Sequence, residues 1–589
     1  MIKINNEVFR NKSLLGSYWN IKDFDERLVL AYSQKNQISP ILSKLLLFRN
    51  INENLLNDFL NPNINNNVPN PFLLKDMEKS VNRLISAIKK SEIIGIIADY
   101  DVDGSTSASI LFKFLKHFNN KIILKIPDRL QEGYGPNIRL MDALLNNKAS
   151  LIFTLDCGTT SFNIIDHKKY KSIDVIIIDH HLSEALLPNV FSIINPNRYD
   201  EGRNFNDMAA VGVTFLFLMA LRKKLRNQKF FNRNNVEPNL LSYLDLVALG
   251  TVCDVVKLTS FNRIFVKKGL EIIRERKNKV LTQLIDNSDL YSSPRASDLG
   301  FKVGPQLNAA SRVGDSSTAS KLLISNNIEE IETISRKLIL LNEKRKLIEK
   351  NIFDEALIQA EKQFSQNFIF VYGKKWHNGV LGIVASKLVS RFYKPAIVIS
   401  FGQSFGIGSA RSIDTIDLGN IIINAKNNNI LEGGGGHKMA AGLQIKFENL
   451  EIFQHFLNES FKKFSVNLFK KIEIFDLKIS VNEINDELLE IIDQLEPFGN
   501  GNEEPKFIIE DIRIDHIKIL KEKHLLVFFQ NDFSSKIKAI CFNCIGTKLG
   551  DYIQNFRNYK FYFGCSIKKN IFKGYLEPLI VIKDAMVIN

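Results

Sequence analysis

The chain has 589 residues, which at about 150 residues per domain allows three to four domains and exceeds what one hydrophobic core can organise. Hydrophobic residues make up 45% and charged residues 24%, with 31 glycines and 15 prolines, which excludes a disordered chain, a collagen-like repeat and a disulfide-stapled miniprotein. The net charge of +14 points towards a polyanion such as nucleic acid, but the Asn-, Ile- and Lys-rich composition is also what AT-biased coding produces, so charge alone does not decide.

Residues 1–70 read as a mostly helical lead-in, with the Asn/Pro-rich stretch NPNINNNVPNP at 61–71 marking a loop. No secretory h-region opens the chain, and the longest uncharged apolar run, Met208 to Leu221, is 14 residues, short of the roughly 20 that cross a bilayer. Five cysteines, an odd number without regular spacing, suit reduced thiols. The expectation is a cytoplasmic protein with no membrane association.

From Glu92 short β-branched runs, IIGIIA, IILKI, LIFTL and DVIII, alternate with helical stretches such as Ser105 to His117. Continuous apolar strands alternating with helices predict a doubly wound, mostly parallel sheet over 71–325. Over 326–366, Ile331, Ile334, Leu338, Leu341, Ile348 and Ile352 recur at helical spacing while Lys344-Arg345-Lys346 take other faces, which predicts a long connecting helix. A smaller α/β domain follows over 367–467, with Gly-rich turns at 402–408 and 433–436. Over 468–589 runs such as HLLVFFQ, KIKAICF and FYFGCSI are spaced as in a small antiparallel, OB-like barrel. Phe528, Phe529, Phe542, Phe561 and Phe563 there are core residues or a base-stacking platform, and Cys541-x-x-Cys544 lacks the second pair that zinc needs.

The densest chemistry is Asp99-Tyr-Asp101-Val-Asp103-Gly104, between a strand and a helix. Three carboxylates at alternate positions there call for cations. An EF-hand is rejected because Ile110 stands where its bidentate Glu is required and a strand precedes the turn. A phosphatase of the haloacid dehalogenase type also has a D-x-D after its first strand, but needs no paired histidines. Asp156 follows LIFTL and Asp179-His180-His181 follow DVIII, so acids and imidazoles converge at the carboxyl ends of three strands, where open α/β sheets bind ligands. Asp254, in an apolar stretch, is a ligand or one half of a structural salt bridge. Carboxylates with imidazole and no thiolate suit Mn²⁺ above Mg²⁺, and a pair of such ions predicts phosphoester hydrolysis.

IIADYDVDGSTSAS, LDCGTT, IDHH and LVALGTVCDVV, in this order, resemble the motifs of the DHH phosphoesterase superfamily, and the likeness continues through PDRLQEGYGPN, GPQLNAASRVGD, WHNGVLGIVASKL, GSARS, GGGGHKMAAG and LEPFGNGNEEPKF. The resemblance is to its single-strand-specific bacterial exonucleases, with Gln306 and Ser311 standing where Arg and Gly are common. It implies a catalytic DHH domain, a DHH-associated domain and an OB domain. It further implies a metal-dependent 5′→3′ exonuclease that releases 5′-mononucleotides in DNA repair and recombination. By motif, Asp101 and Asp156 would hold one ion and Asp103, Asp156, His180 and Asp254 the other. His181 would face the scissile phosphate, with Asp99 and Asp179 orienting ligands. Ser409, Arg411, Gly435, Gly436 and His437 would hold the 5′ end, and Arg129 and Arg312 would reach the strand. GGGG read alone is equally a flexible turn. The implied partners are single-stranded DNA, with a single-strand-binding protein and a helicase as candidates, and a monomer is expected. The rival readings are a small-oligonucleotide phosphodiesterase, a manganese pyrophosphatase and a degenerate scaffold that has lost a metal ligand.

Overall fold

Apolar β-branched runs build the first sheet in the computed structural model, which describes residues 11–588 apart from 119, 203, 204, 234, 289, 291, 292, 364, 403, 511, 531–535, 573 and 574. Strands β1 (Ile94–Ala98), β2 (Ile122–Lys125), β3 (Leu151–Leu155), β4 (Asp174–Ile178) and β5 (Ser192–Ile194) run in the order β2-β1-β3-β4-β5, every pair parallel. β1 and β3 are buried along their whole length, as their unbroken hydrophobicity requires. The sequence pattern shows four of these strands; β5, at three residues, is too short to carry one. The strand order reverses between β1 and β3, so the topological switch point lies between them.

Helix α1 (Val102–Lys116) starts earlier than the Ser105 expected from its apolar pattern, because Asp101 caps it by accepting from the Gly104 amide at 3.0 Å. A side chain at Gly104 would stand 2.4 Å from the Asp99 carbonyl oxygen, so only glycine lets the chain turn this tightly. Helices α2 (Ala210–Asn227), α3 (Leu244–Cys253), α4 (Ser260–Arg274), α5 (Lys279–Asp286) and α6 (Gly304–Val313) follow. α3 is buried from Leu244 to Thr251 and crosses α4 at Gly269, where a Cβ would meet the Leu244 carbonyl oxygen at 2.2 Å. Gly269→Ala is therefore expected to cost about 1–3 kcal/mol by forcing the two helices apart. A urea midpoint that falls at unchanged slope would show it, and an unchanged midpoint would refute the close crossing.

The connecting helix α7 (Ile328–Glu361) runs 34 residues, about 50 Å, and buries Ile331, Leu338, Ile352 and Ala356. Beyond it β6 (Ile369–Lys374), β7 (Ala396–Phe401), β8 (Gly406–Arg411), β9 (Gly433–His437) and β10 (Ala440–Ile445) form a sheet ordered β9-β10-β8-β7-β6, with helix α8 (Leu381–Phe392) between β6 and β7. Only β6 and β7 pair in parallel. Of the two glycine-rich segments expected as turns, 402–408 opens with the turn between β7 and β8, where the Gly402 amide donates to the Phe405 carbonyl at 3.1 Å, and ends inside β8, whereas 433–436 lies in strand β9. The glycines of β9 accommodate close packing: a Cβ on Gly434 would lie 2.9 Å from Ile422, and Gly436, at φ +155°, approaches the Ala440 carbonyl too closely for a side chain.

Residues 63–465 with 499–501 form one compact unit, and 11–62 with 466–498 and 502–588 the other. In the second unit Tyr18–Ile21 pairs in parallel with Ile472–Phe475, and fully buried Trp19 packs on Phe475 at 4.7 Å. The segment at 61–71 carries one helical turn, Ile64–Asn67, within the expected loop. The seven-stranded C-terminal sheet is mixed and not purely antiparallel: Leu477–Ile479 with Phe507–Ile509, and Lys536–Cys541 with Tyr575–Ile588, are parallel pairs. Helices Asp486–Leu495 and Lys548–Gln554 lie in the long connections such pairing requires. Phe529, Phe561 and Phe563 are core residues, whereas Phe542 is exposed and Phe528 stacks on His516 at 4.1 Å. Cys541, Cys544 and Cys565 are buried free thiols. Among the described residues no helix is long and apolar enough to cross a membrane.

Candidate metal centre and anion-binding face

Parallel pairing in register sets the acids in one row. Ala98 stands opposite Leu155, and Leu155 opposite Ile178. The ladder runs one residue further: the amides of Asp99, Asp156 and Asp179 donate to the carbonyls of Leu155, Ile178 and Ile194 at 3.1, 2.9 and 3.1 Å. Three carboxylates thus leave adjacent strands at the same level, at the switch point. α1 carries Asp101 and Asp103 towards them from its first turn, and Asp254, which caps the C-terminus of α3, approaches from the other side. His180 Nε2 lies 3.2 Å from Asp156, 3.6 Å from Asp254 and 3.9 Å from Asp103.

Each anion has its own support. Asp103 accepts from the Ala210 and Val211 amides at 2.6 and 2.8 Å, at the positive end of α2. Asp179 accepts from the amides of Thr159, His180 and His181 and from His181 Nδ1 at 2.7 Å, which hold it well below the usual carboxylate range despite burial. The contact to Nδ1 fixes the orientation of the His181 ring. Burial, the largest effect, works against a charged His181, yet the bond to Asp179 and the surrounding acids raise its pKa to about 9. Burial and the charge of His181 push His180 down to about 4, leaving it neutral. Burial and mutual repulsion raise Asp99, Asp156 and Asp254 well above the carboxylate range and Asp103 to about 7.

These residues fit divalent metal. Asp99 Oδ1, Asp156 Oδ1, His180 Nε2 and Asp254 Oδ2 are buried polar atoms without a hydrogen-bond partner, all turned to one space. Three trios bring ligand atoms within 4.8 Å of one another: Asp156, His180 and His181; Asp103, His180 and Asp254; Asp99, Asp101 and Asp156. Asp156 and His180 each belong to two trios, as ligands near two ions would. Asp99 and His181 sit in ligand-capable trios as well, while Asp179 does not.

A pH-dependent stabilisation follows. Carboxylates whose folded pKa is raised lower the stability of the metal-free protein progressively as pH rises above the ordinary carboxylate range, and a bound cation reverses that. Mn²⁺ is therefore expected to raise Tm more at about pH 8 than at about pH 6, measured by thermal melts with and without chelator. A shift independent of pH would refute it.

The second cluster is cationic. Arg129 lies over the Tyr100 ring at 4.9 Å, and Arg312 donates to the Gly379 carbonyl at 3.0 Å. Burial first, then repulsion from Arg129, Arg345 and Arg411, brings Arg312 down to about 9. On the sheet, Ser409 stands opposite Gly442, which stands opposite Gly435; Arg411 stands opposite Ala440, which stands opposite His437. Directly opposed residues share a face, so Ser409, Arg411, Gly435 and His437 present one surface, open at Gly435 and Gly442, where a Cβ would meet nothing within 4 Å. Gly436, the next residue on the strand, belongs to the other face. Gly382, at the N-terminus of α8, approaches so closely that a Cβ would stand 2.9 Å from Arg411 and 3.1 Å from Ser409. Two half-buried guanidiniums, a hydroxyl and a helix N-terminus are groups suited to holding an anion.

The sequence reading misses four contributors. Tyr134 donates to the Asp156 carbonyl at 2.8 Å and lies 3.0 Å from His181 Nδ1. Asn195 and Asn197 donate to the His181 and His180 carbonyls and fix the Asp-His-His turn. Arg345 faces the arginine cluster from α7, held by Asn342 and Glu349. Tyr134 lies inside the quoted PDRLQEGYGPN motif and Arg345 in the basic run at 344–346, but neither pattern assigns a direction to the side chain.

Residues 93–251 match the DHH family, N-terminal domain, 365–463 the DHHA1 domain and 475–584 the RecJ OB domain. The single-stranded-DNA-specific exonuclease RecJ of Haemophilus influenzae is 34% identical over 535 residues, covering 87% of this chain and 90% of that protein. The exonuclease of the same name from Bacillus subtilis is 32% identical over 533 residues, 89% of this chain and 66% of that longer protein. The fold is that of the RecJ crystal structure from Thermus thermophilus in complex with Mn²⁺, at TM-score 0.78 and 23% identity, covering 96% of this chain and 79% of that one.

Proposed function

The chain belongs to the RecJ family of DHH phosphoesterases, and from that premise we propose that it is a metal-dependent 5′→3′ exonuclease that degrades single-stranded DNA to 5′-mononucleotides in DNA repair and recombination. The observation that carries the reading is the row of Asp99, Asp156 and Asp179 with four unpartnered ligand atoms around it. Asp101 and Asp156 would hold one divalent ion and Asp103, Asp156, His180 and Asp254 the other, Mn²⁺ before Mg²⁺ given the imidazole. Bound there, the ions supply an activated water and neutralise charge on the phosphate and the leaving 3′ oxygen.

The chain's own groups do the rest. His180, kept neutral by burial and by charged His181, is ready to ligate. Asp179 fixes Nδ1 of His181, which leaves its Nε2–H to donate to a non-bridging oxygen of the scissile phosphate. Tyr134 pins the backbone of Asp156, a residue at φ +59° that is held in an uncommon conformation. Arg312, Arg411 and Ser409 take the terminal 5′ phosphate, and Arg129, Gly435 and His437 line the strand's path, while Gly436, on the other face, lets β9 pack closely. A terminal phosphate held at a fixed site beside the ions sets the polarity and removes one nucleotide per step.

The degenerate-scaffold reading is disfavoured because every proposed ligand is present and the site's electrostatics demand cations. The reading extends to a cytoplasmic monomer working on single-stranded DNA with a single-strand-binding protein and a helicase, which light scattering and pull-down with purified partners would check. Purified protein with Mn²⁺ and single-stranded DNA labelled at either end tests the activity. Early release of 5′-terminal mononucleotides supports it; release from the 3′ end overturns the polarity, and DNA that is bound but intact overturns the enzyme. Turnover of dinucleotides alone would favour a small-oligonucleotide phosphodiesterase.

A further inference from the structure

α1 and α3 each place proposed metal-ligating carboxylates at one end: Asp101, the cap, and Asp103 at the start of α1, and Asp254, the cap, at the end of α3. Their other ends open into a separate cavity of about 630 Å³, within the size range of small-molecule sites. Lys113 lies ten residues beyond Asp103 along α1, and Asp245 nine residues before Asp254 along α3, about 15 Å of helix in each case, so the cavity is distinct from the metal centre.

Its interior is unusual for a structural cleft. Lys113 is largely buried, and among the described residues its ammonium makes neither hydrogen bond nor ion pair, although burial lowers its pKa and Asp245 acts against that. Asp245 is 2% exposed and accepts from Asn278 Nδ2 at 2.8 Å and from the Leu246 amide at 2.6 Å. A cation and an anion share one cavity without closing on each other, an arrangement that leaves both charges for a third party. Lys279, on the rim at the first turn of α5, adds a second cation with no carboxylate partner among the described residues. The half-buried Tyr243 ring and Ile272 supply an apolar wall.

We propose that this cavity binds a mononucleotide, with Lys113 and Lys279 taking the phosphate, Asp245 and Asn278 the hydroxyl and amino groups of sugar or base, and Tyr243 the flat face of the base. Two point charges without a fork suit a phosphate monoester. A buried carboxylate that keeps free acceptor capacity selects a ligand with donors, which inorganic phosphate at neutral pH satisfies poorly and a nucleoside satisfies well. The volume is several times what a bare phosphate fills.

Calorimetric titration of the full chain in chelator with dAMP, and separately with inorganic phosphate, tests this. Chelation keeps metal-bridged binding out of the signal. Saturable dAMP binding is expected to persist in Arg411→Ala, which silences the anion face, and to weaken at least about tenfold when Lys113→Met or Lys279→Ser is added to it, with phosphate at least about tenfold weaker than dAMP. Lys279→Ser changes an exposed side chain, so its result stands even if Lys113→Met does not fold. Binding lost in Arg411→Ala alone would move the ligand to the anion face and overturn the proposal. Phosphate binding as tightly as dAMP, or no binding at millimolar ligand, would overturn it too. None of these outcomes bears on the nuclease reading, which is scored by DNA cleavage.

Discussion

Asp156→Asn is expected to lower hydrolysis of single-stranded DNA by at least about 10³-fold while making the metal-free protein more stable at neutral pH. Asp156 supplies a ligand atom to two of the three trios, so its loss weakens the hold on both ions. The opposite sign for stability follows from its environment: burial, then the charges of Asp103, Asp101, Asp99 and Asp254, raise its pKa well above the ordinary value. A carboxylate raised in the folded state costs stability above its unfolded pKa, so a neutral amide relieves that cost near pH 7. The relief disappears as pH falls into the ordinary carboxylate range, where Asp156 is protonated in both states. Asparagine also tolerates φ +59°. Thermal melts in chelator should place the variant above wild type, and melts in Mn²⁺ should place wild type above the variant. Cleavage within tenfold of wild type, or a lower melting temperature in chelator, would remove Asp156 from its central place.

Arg312→Met should separate binding from folding in the same way at the second cluster. Among the described residues the guanidinium donates to the Gly379 carbonyl and is repelled by three arginines, so burial and like charge bring it down to about 9. A base depressed in the folded state costs stability at every pH below its unfolded pKa, and methionine of similar length removes the charge while filling the space. Stability is expected to stay level or rise. Affinity for a 5′-phosphorylated strand is expected to fall about 10–100-fold, the worth of one charge-assisted contact, with a salt dependence of binding shallower by about one unit. A strand lacking the 5′ phosphate should lose much less. Equal losses on both strands would refute the assignment of Arg312 to the terminal phosphate.

Both variants expose a common design: two clusters of like charge, one anionic and one cationic, are kept in a single unit at the expense of the empty protein's stability. Such sites are the places where local sequence rules and folded stability disagree, because ligand and not protein supplies the compensating charge.

Much of this was legible in the residues. The parallel sheet shows in unbroken β-branched runs, since a strand buried on both faces has no polar alternation to confuse it. The five proposed metal ligands follow strand ends or interrupt apolar stretches, where an unpaired carboxylate is too costly to lack a purpose. The long helix shows in the 3.6-residue spacing of its apolar positions. Glycine is ambiguous because it leaves no side-chain pattern: Gly402 and Phe405 close the turn it suggests, but 406–408 and 433–436 lie in strands, and the bareness at Gly435 opens a flat face beside Ser409 and Arg411.

The fold class, and the acids and imidazoles of the candidate metal centre, are visible in the residues alone, because strand burial and helix capping are local and each leaves its mark within a few residues. That Asp99, Asp156 and Asp179 stand in one row, that Arg345 joins Arg129, Arg312 and Arg411, and that Lys113 and Asp245 share a cavity emerges in the folded chain alone. Those facts depend on strand register and helix crossing, which bring together residues far apart in the chain and leave no signal in any short stretch of it.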